Sequence, residues 1–176
     1  MGLHAVHDRL KKIRDQYDVA IVGGGIYGAT AAWEASSRGL SVLLLDRGDI
    51  GSGTSANSLK TIHGGLRALQ RLDFREMREY IRERRALMMI APHLVTPMPC
   101  VMPTYRSLPK SKLFVGAGLT LYDLIALDRN SGLDAAHRIP ASSIITRKHL
   151  DRIAPNLDRT ASTGGACWTD AQVFNS

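Results

Sequence analysis

Gly23, Gly25 and Gly28 lie between a short aliphatic run, Val19 to Val22, and an alanine-rich segment. This G-x-G-x-x-G spacing restricts the fold more than any other feature of the chain. The first glycine permits a tight turn out of a strand, and the second lets a phosphate approach the backbone. The third lets the following helix sit close to the strand. Ile26 to Arg38 reads as that helix, with Gly39 as its stop, and Ser41 to Asp46 as the next buried strand. Val19 to Val22 is likewise expected to be buried on both faces, as parallel strands are. Strand, helix and strand make a βαβ unit with a right-handed crossover. Asp46 closes it, where a carboxylate can accept from ribose hydroxyls, while the helix N-terminus offers N–H groups to a pyrophosphate. The pattern points to the ADP half of a dinucleotide and leaves NAD and FAD open.

The 176 residues, 44% hydrophobic and 22% charged, suit an ordinary buried core. No apolar run reaches the roughly 20 residues of a membrane span; "LFVGAGLTLYDLIALD" is short and interrupted by Gly116, Gly118 and Asp123. The first residues carry charges throughout and no apolar leader, so a cytoplasmic protein is expected. Cys100 and Cys167 are far apart in sequence and form no metal-binding pattern, so reduced thiols and no metal are expected. The net charge of +7 favours anionic partners, such as phosphorylated substrates, a membrane surface or nucleic acid. The arginines of Phe74 to Leu94, however, alternate with Glu76, Glu79 and Glu83 and read as a solvated helix face rather than a nucleic-acid stripe.

Beyond Gly48 a Gly/Ser/Thr/Asn-rich stretch reads as a long loop. Leu69 to Ile90 returns to helical periodicity, and Pro97, Pro99 and Pro103 confine any strand near them to an edge or short pieces. Leu113 to Leu127 reads as a further helix, and "GGACWTDAQVF" as a strand running into a helix start. The expected organisation is an extension at 1–16, a nucleotide-binding βαβ unit, loop and helix at 17–91, a partial substrate or cap region at 92–159, and a return to the first domain at 160–176. A chain ending at Ser176 within a first helical turn is expected to be a fragment.

The motifs "GGGIYGA", "LLLDRGD", "GTSANSLKTIHGGLR", "APHLVTPMP", "GLTLYDL" and "CWTDAQ" together resemble the FAD-dependent glycerol-3-phosphate dehydrogenase family, among the D-amino-acid-oxidase-like flavoproteins. The resemblance covers nearly all the chain beyond the extension. It implies an α/β fold: the N-terminal part of a glutathione-reductase-like, Rossmann-type FAD-binding domain, with part of a substrate region. It implies FAD as cofactor, with Gly23, Gly24, Gly25 and Gly28 at the pyrophosphate, Asp46 at the adenosine ribose and Arg47 on the adenine side. Thr54, Ser55 and Ser58 would supply hydroxyl or backbone contacts, and His63, Gly64 and Gly65 would lie near the flavin ring. The implied reaction takes glycerol 3-phosphate to dihydroxyacetone phosphate and passes electrons to quinone, with peripheral contact at the inner face of the cytoplasmic membrane. No nucleic-acid partner is implied.

Tyr27 stands where these dehydrogenases usually carry Asn, and Leu59 and Thr61 interrupt the usual pattern around Lys60. An FAD enzyme acting on an amine, amino acid or other hydroxy acid therefore stays open, as does a dinucleotide-binding module without turnover. Lys60 reads either as an anion or flavin-loop contact or as a solvated lysine, and His63 as a flavin neighbour or a turn histidine. His4, His7, His93, His137 and His149 have no evident partners in the sequence. Catalytic residues are expected beyond Ser176.

Overall fold

The computed structural model describes residues 13–157 and 161–174. Residues 1–12, with His4 and His7, the expected boundary at 159–160, and Ser176 lie outside the described residues. The chain divides into two units, Met1–Leu59 and Lys60–Ser176.

In the first unit, β1 (Val19–Val22) pairs in parallel with β2 (Val42–Leu45), Val19 opposite Val42 and Val22 opposite Leu45. Helix α1 (Ile26–Ser37) connects them. It stops as expected: Gly39 N–H donates to the Ser36 carbonyl at 3.0 Å and Leu40 N–H to that of Ala35 at 3.1 Å. This closure satisfies carbonyls that the last helical turn leaves without partners. Burial departs from expectation. β1 alternates half-buried and exposed positions, and Val22 is 86% exposed, because a sheet of two strands offers neither strand cover on both faces.

The second unit is built around β6 (Gly164–Val173). β4 (Val95–Thr104) runs antiparallel along one side of it, Val95 opposite Val173 and Thr104 opposite Gly164. β3 (Thr61–Ile62) and β5 (Ser143–Thr146) share its other side. β4 is one continuous strand despite its prolines. Pro97, Pro99 and Pro103 share one parity, whereas the bonded pairs take the other, as Phe174 N–H donating to the Leu94 carbonyl at 2.8 Å shows. The missing proline N–H groups therefore face the outer edge, where the ladder loses nothing. β6 stays extended through Val173, so no helix begins in "TDAQVF". Pairing on both sides fixes the extended backbone. The register places Cys100 opposite Trp168 and Cys167 opposite Val101, which sends the two free thiols to opposite faces.

The helical stretch expected from Leu69 to Ile90 is two helices, α2 (Leu66–Leu69) and α3 (Phe74–Ile90). Asp73 caps α3 through a bond from Glu76 N–H at 2.9 Å, the first half of a capping box that the sequence D-x-x-E spells out. Met77 and Ile81 of α3 pack with Ala68, and with Tyr122 and Ala126 at the end of α4 (Lys112–Ile125). Met88 packs with Val95, Leu133, Ile139 and Ala171 in a second cluster. A short helix α5 (Arg147–Ile153) follows β5.

The arginines of α3 are not one solvated face. Arg78 forms a two-pronged pair with Asp128, at 2.6 and 3.0 Å, and Arg85 reaches the same carboxylate at 3.0 Å. Arg84 is 1% exposed. His137 also has partners, the Asp134 carboxylate at 2.7 Å and the Pro92 carbonyl at 2.9 Å, and the Asp134 bond raises its pKa.

Candidate functional site

At the end of β2 the chain turns so that the Asp46 carboxylate faces back toward the glycine turn. Its Oδ1 accepts from Gly48 N–H at 2.8 Å and its Oδ2 from Gly24 N–H at 2.6 Å. These two amides, Gly48 first, hold the carboxyl below its ordinary range, with a smaller contribution from the Arg47 charge. Each oxygen keeps a further lone pair for another donor.

Gly23 has φ +105°, in the region that side chains avoid, and its N–H donates to the Leu45 carbonyl at 2.7 Å. The turn it makes runs so close under α1 that a Cβ on Gly28 would stand 1.8 Å from the Gly23 carbonyl oxygen. Gly25 occupies the N-cap and brings no side-chain bond, so the N-terminal N–H groups of α1 stay available apart from Ile26 N–H, which donates to Ser55 Oγ at 2.9 Å. A cleft of about 1070 Å³ opens in front of this helix end. Gly23, Gly25, Gly28, Asp46, Arg47, Thr54, Ser55 and Ser58 all line it. Gly24 does not. It lies behind the wall, where a Cβ would come within 2.5 Å of Ile50 Cδ1 and 3.3 Å of the Asp46 carboxylate.

His63, Gly64 and Gly65 belong to the second unit. His63 and Gly64 converge on Asp170 of β6, 4% exposed. Gly64 N–H donates to Asp170 Oδ1 at 2.8 Å, and His63 Nδ1 lies 3.0 Å from Oδ2. Arg84 stands behind them, donating to the Thr169 carbonyl at 2.7 Å and to the Tyr122 hydroxyl at 3.0 Å, with Nη1 3.4 Å from Asp170 Oδ1. Burial pushes the Tyr122 hydroxyl up, opposed by the Arg84 charge. Only glycine fits at position 64, since a Cβ would fall 2.1 Å from Arg84 Nη1. Gly65, at φ +87°, then turns the chain into α2. Lys60 also has a left-handed backbone, φ 54°, and its carbonyl accepts from Val173 N–H at 2.9 Å.

Residues 18–176 match the model of the FAD dependent oxidoreductase family. The chain belongs to that family. Among family relatives, the glycerol-3-phosphate dehydrogenase of Mycobacterium leprae is 38% identical over 160 residues, which are 90% of this chain and 26% of that one. The glycerol-3-phosphate dehydrogenase of Synechocystis sp. is 34% identical over 157 residues, 89% of this chain and 27% of that one. The structure of a glycerol-3-phosphate dehydrogenase from Bacillus halodurans complexed with FAD superposes with a TM-score of 0.58 at 22% identity. It covers 95% of this chain and 24% of that chain, and the likeness shows a shared fold. The chain thus spans about a quarter of the length of these relatives. Both the α/β flavoprotein fold and the family expected from the motifs are borne out.

Sequence reasoning missed Arg84, Tyr122 and Asp170. The last two stand inside the motifs "GLTLYDL" and "CWTDAQ", yet no spacing rule connects them, since Arg84 is 38 residues from Tyr122 and 86 from Asp170. Among the described residues no His, Cys, Asp and Glu group is arranged to hold a metal, and no helix is long and apolar enough to cross a membrane.

Proposed function

We propose that this chain builds the dinucleotide-holding part of an FAD-dependent glycerol-3-phosphate dehydrogenase, which oxidises glycerol 3-phosphate to dihydroxyacetone phosphate and delivers electrons to a quinone. One observation carries the reading: a glycine turn, a helix N-terminus and the Asp46 carboxylate line the same cleft. The crowding at Gly28 fits this use, because it seats the helix end close to the turn where a pyrophosphate would lie. FAD held there supplies a hydride acceptor.

The chain's own residues bind and orient. The N–H groups at the start of α1 beyond Ile26 face the pyrophosphate, aided by the positive end of the helix dipole, while those of Gly23 and Gly24 hold the turn to Leu45 and Asp46. Asp46 accepts from the adenosine ribose, Arg47 flanks the adenine side, and Thr54, Ser55 and Ser58 offer hydroxyls. The resemblance assigns His63, Gly64 and Gly65 to the flavin-ring side, with the Gly64 N–H committed to Asp170.

Contact with the inner face of the cytoplasmic membrane belongs to this reading. Its support is an exposed apolar stripe on α4, where Leu113, Phe114, Leu121 and Leu124 share one side, with Leu108 and the basic Lys110 and Lys112 nearby in sequence. Leu119 and Tyr122 of the same helix are buried and lie apart from that stripe.

The test is to release the cofactor from the purified protein by denaturation and identify it by chromatography. FAD is expected, and NAD or no dinucleotide would count against the reading. Turnover of the whole protein with glycerol 3-phosphate and an artificial electron acceptor tests the substrate. Oxidation of amino acids or another hydroxy acid instead would move it to a different branch of the family.

A further inference from the structure

We propose that Asp170 is a positioning residue for His63, fixing the imidazole in the tautomer that carries its hydrogen on Nδ1 and presents a bare Nε2. The functional sense of this inference rests on the flavoenzyme reading above, whereas the geometry lies entirely within the second unit. Ile62 pairs with Ala171, so the next step along the same register sets His63 opposite Asp170. His63 Nδ1 stands 3.0 Å from Asp170 Oδ2, and the imidazole side chain is 72% exposed against 6% for the carboxylate.

Oδ1 of this carboxylate has its own donors, and His63 is the partner of Oδ2. Gly64 N–H donates to its Oδ1 at 2.8 Å, and the buried Arg84 guanidinium approaches the same oxygen at 3.4 Å. With donors converging on Oδ1, Asp170 acts as acceptor throughout, and the bond at Oδ2 takes its hydrogen from His63 Nδ1. The ring's other nitrogen has no partner among the described residues and belongs to the mostly exposed side chain. The bond also decides which imidazole nitrogen is left bare. His63 then offers an acceptor to whatever lies beyond it. That suits the hydroxyl of an alcohol substrate and disfavours a carbonyl or phosphate oxygen.

The test needs no flavin. The protein is labelled with ¹⁵N-histidine, and the imidazole nitrogens are recorded in alkaline buffer. His63→Gln identifies the resonances among the 6 histidines of the chain. The wild-type ring is expected to show its hydrogen on Nδ1. In Asp170→Asn the amide oxygen turns to Gly64 N–H and Arg84 and its NH₂ faces His63, so the hydrogen moves to Nε2. A wild-type ring protonated on Nε2 overturns the proposal whether or not the variant folds, and so does a folded Asp170→Asn protein with an unchanged ring. Failure of the flavoenzyme reading would show separately, as protein that releases no FAD.

Discussion

Gly28→Ala is the most direct test of the cradle. The added Cβ would lie 1.8 Å from the Gly23 carbonyl oxygen and 3.0 Å from its carbon, whereas ordinary contact begins at 3.4 Å. Both obstructing atoms are backbone, so no rotamer change relieves the clash; the first turn of α1 has to lift from the turn below it. Alanine gains about 1 kcal/mol over glycine in a helix, while forcing atoms into a filled space costs about 1–3 kcal/mol, with a rigid backbone obstacle at or above the upper end. The net expectation is about 2 kcal/mol of lost stability, roughly thirty-fold in the folded-to-unfolded ratio, together with weaker FAD binding because the helix end is lifted from the turn. Titration by quenching of flavin fluorescence measures the binding, with Gly53→Ala as control, because Gly53 lines the same cleft and a Cβ there meets nothing within 4 Å. Unchanged affinity in Gly28→Ala, or equal losses in both variants, would refute the reasoning that close helix approach builds the site.

Asp46→Ala should weaken FAD binding on the order of tenfold or more in the same titration, through loss of charge-assisted bonds to the ribose. Because the Gly48 and Gly24 amides depress the Asp46 pKa, its contribution is complete above the unfolded carboxylate value of about 3.9 and disappears only as pH falls through the lower folded value, which acid titration of bound flavin would show. Asp128, held at about 2 chiefly by Arg78, should likewise contribute stability above the unfolded value and lose it as pH falls toward about 2. Its side chain is 39% exposed, so solvent screening reduces the effect, and Asp128→Asn should flatten the acid limb of a denaturation curve only modestly. Arg84→Met should cost about 3–5 kcal/mol of stability by leaving the Asp170 carboxylate buried without its guanidinium, read as a shift in chemical unfolding. Gly64→Ala should destabilise the same unit, since its Cβ would strike that guanidinium and the Tyr122 hydroxyl.

The first unit was legible because its determinants are local. The strand Val19–Val22, the helix opening at Ile26, the stop at Gly39 and the carboxylate of Asp46 lie within one short βαβ segment, where chain connectivity alone brings glycine turn and acid together. The sequence also held the capping signal at Asp73 and Glu76, which divides what periodicity joined into one helix. Sequence could not say which arginines of α3 face water. Arg75 and Arg84 share a charge and a helix, but only Arg84 meets Asp170 and Tyr122, brought to it by β6 and α4 from distant parts of the chain. Nor did a lone His63 announce its partner, since Asp170 lies 107 residues away and reaches it through strand register. Periodicity and motif spacing report what a residue's neighbours in sequence impose on it. The pairing of a buried charge depends on which elements pack together, and that was decided by the sheet around β6.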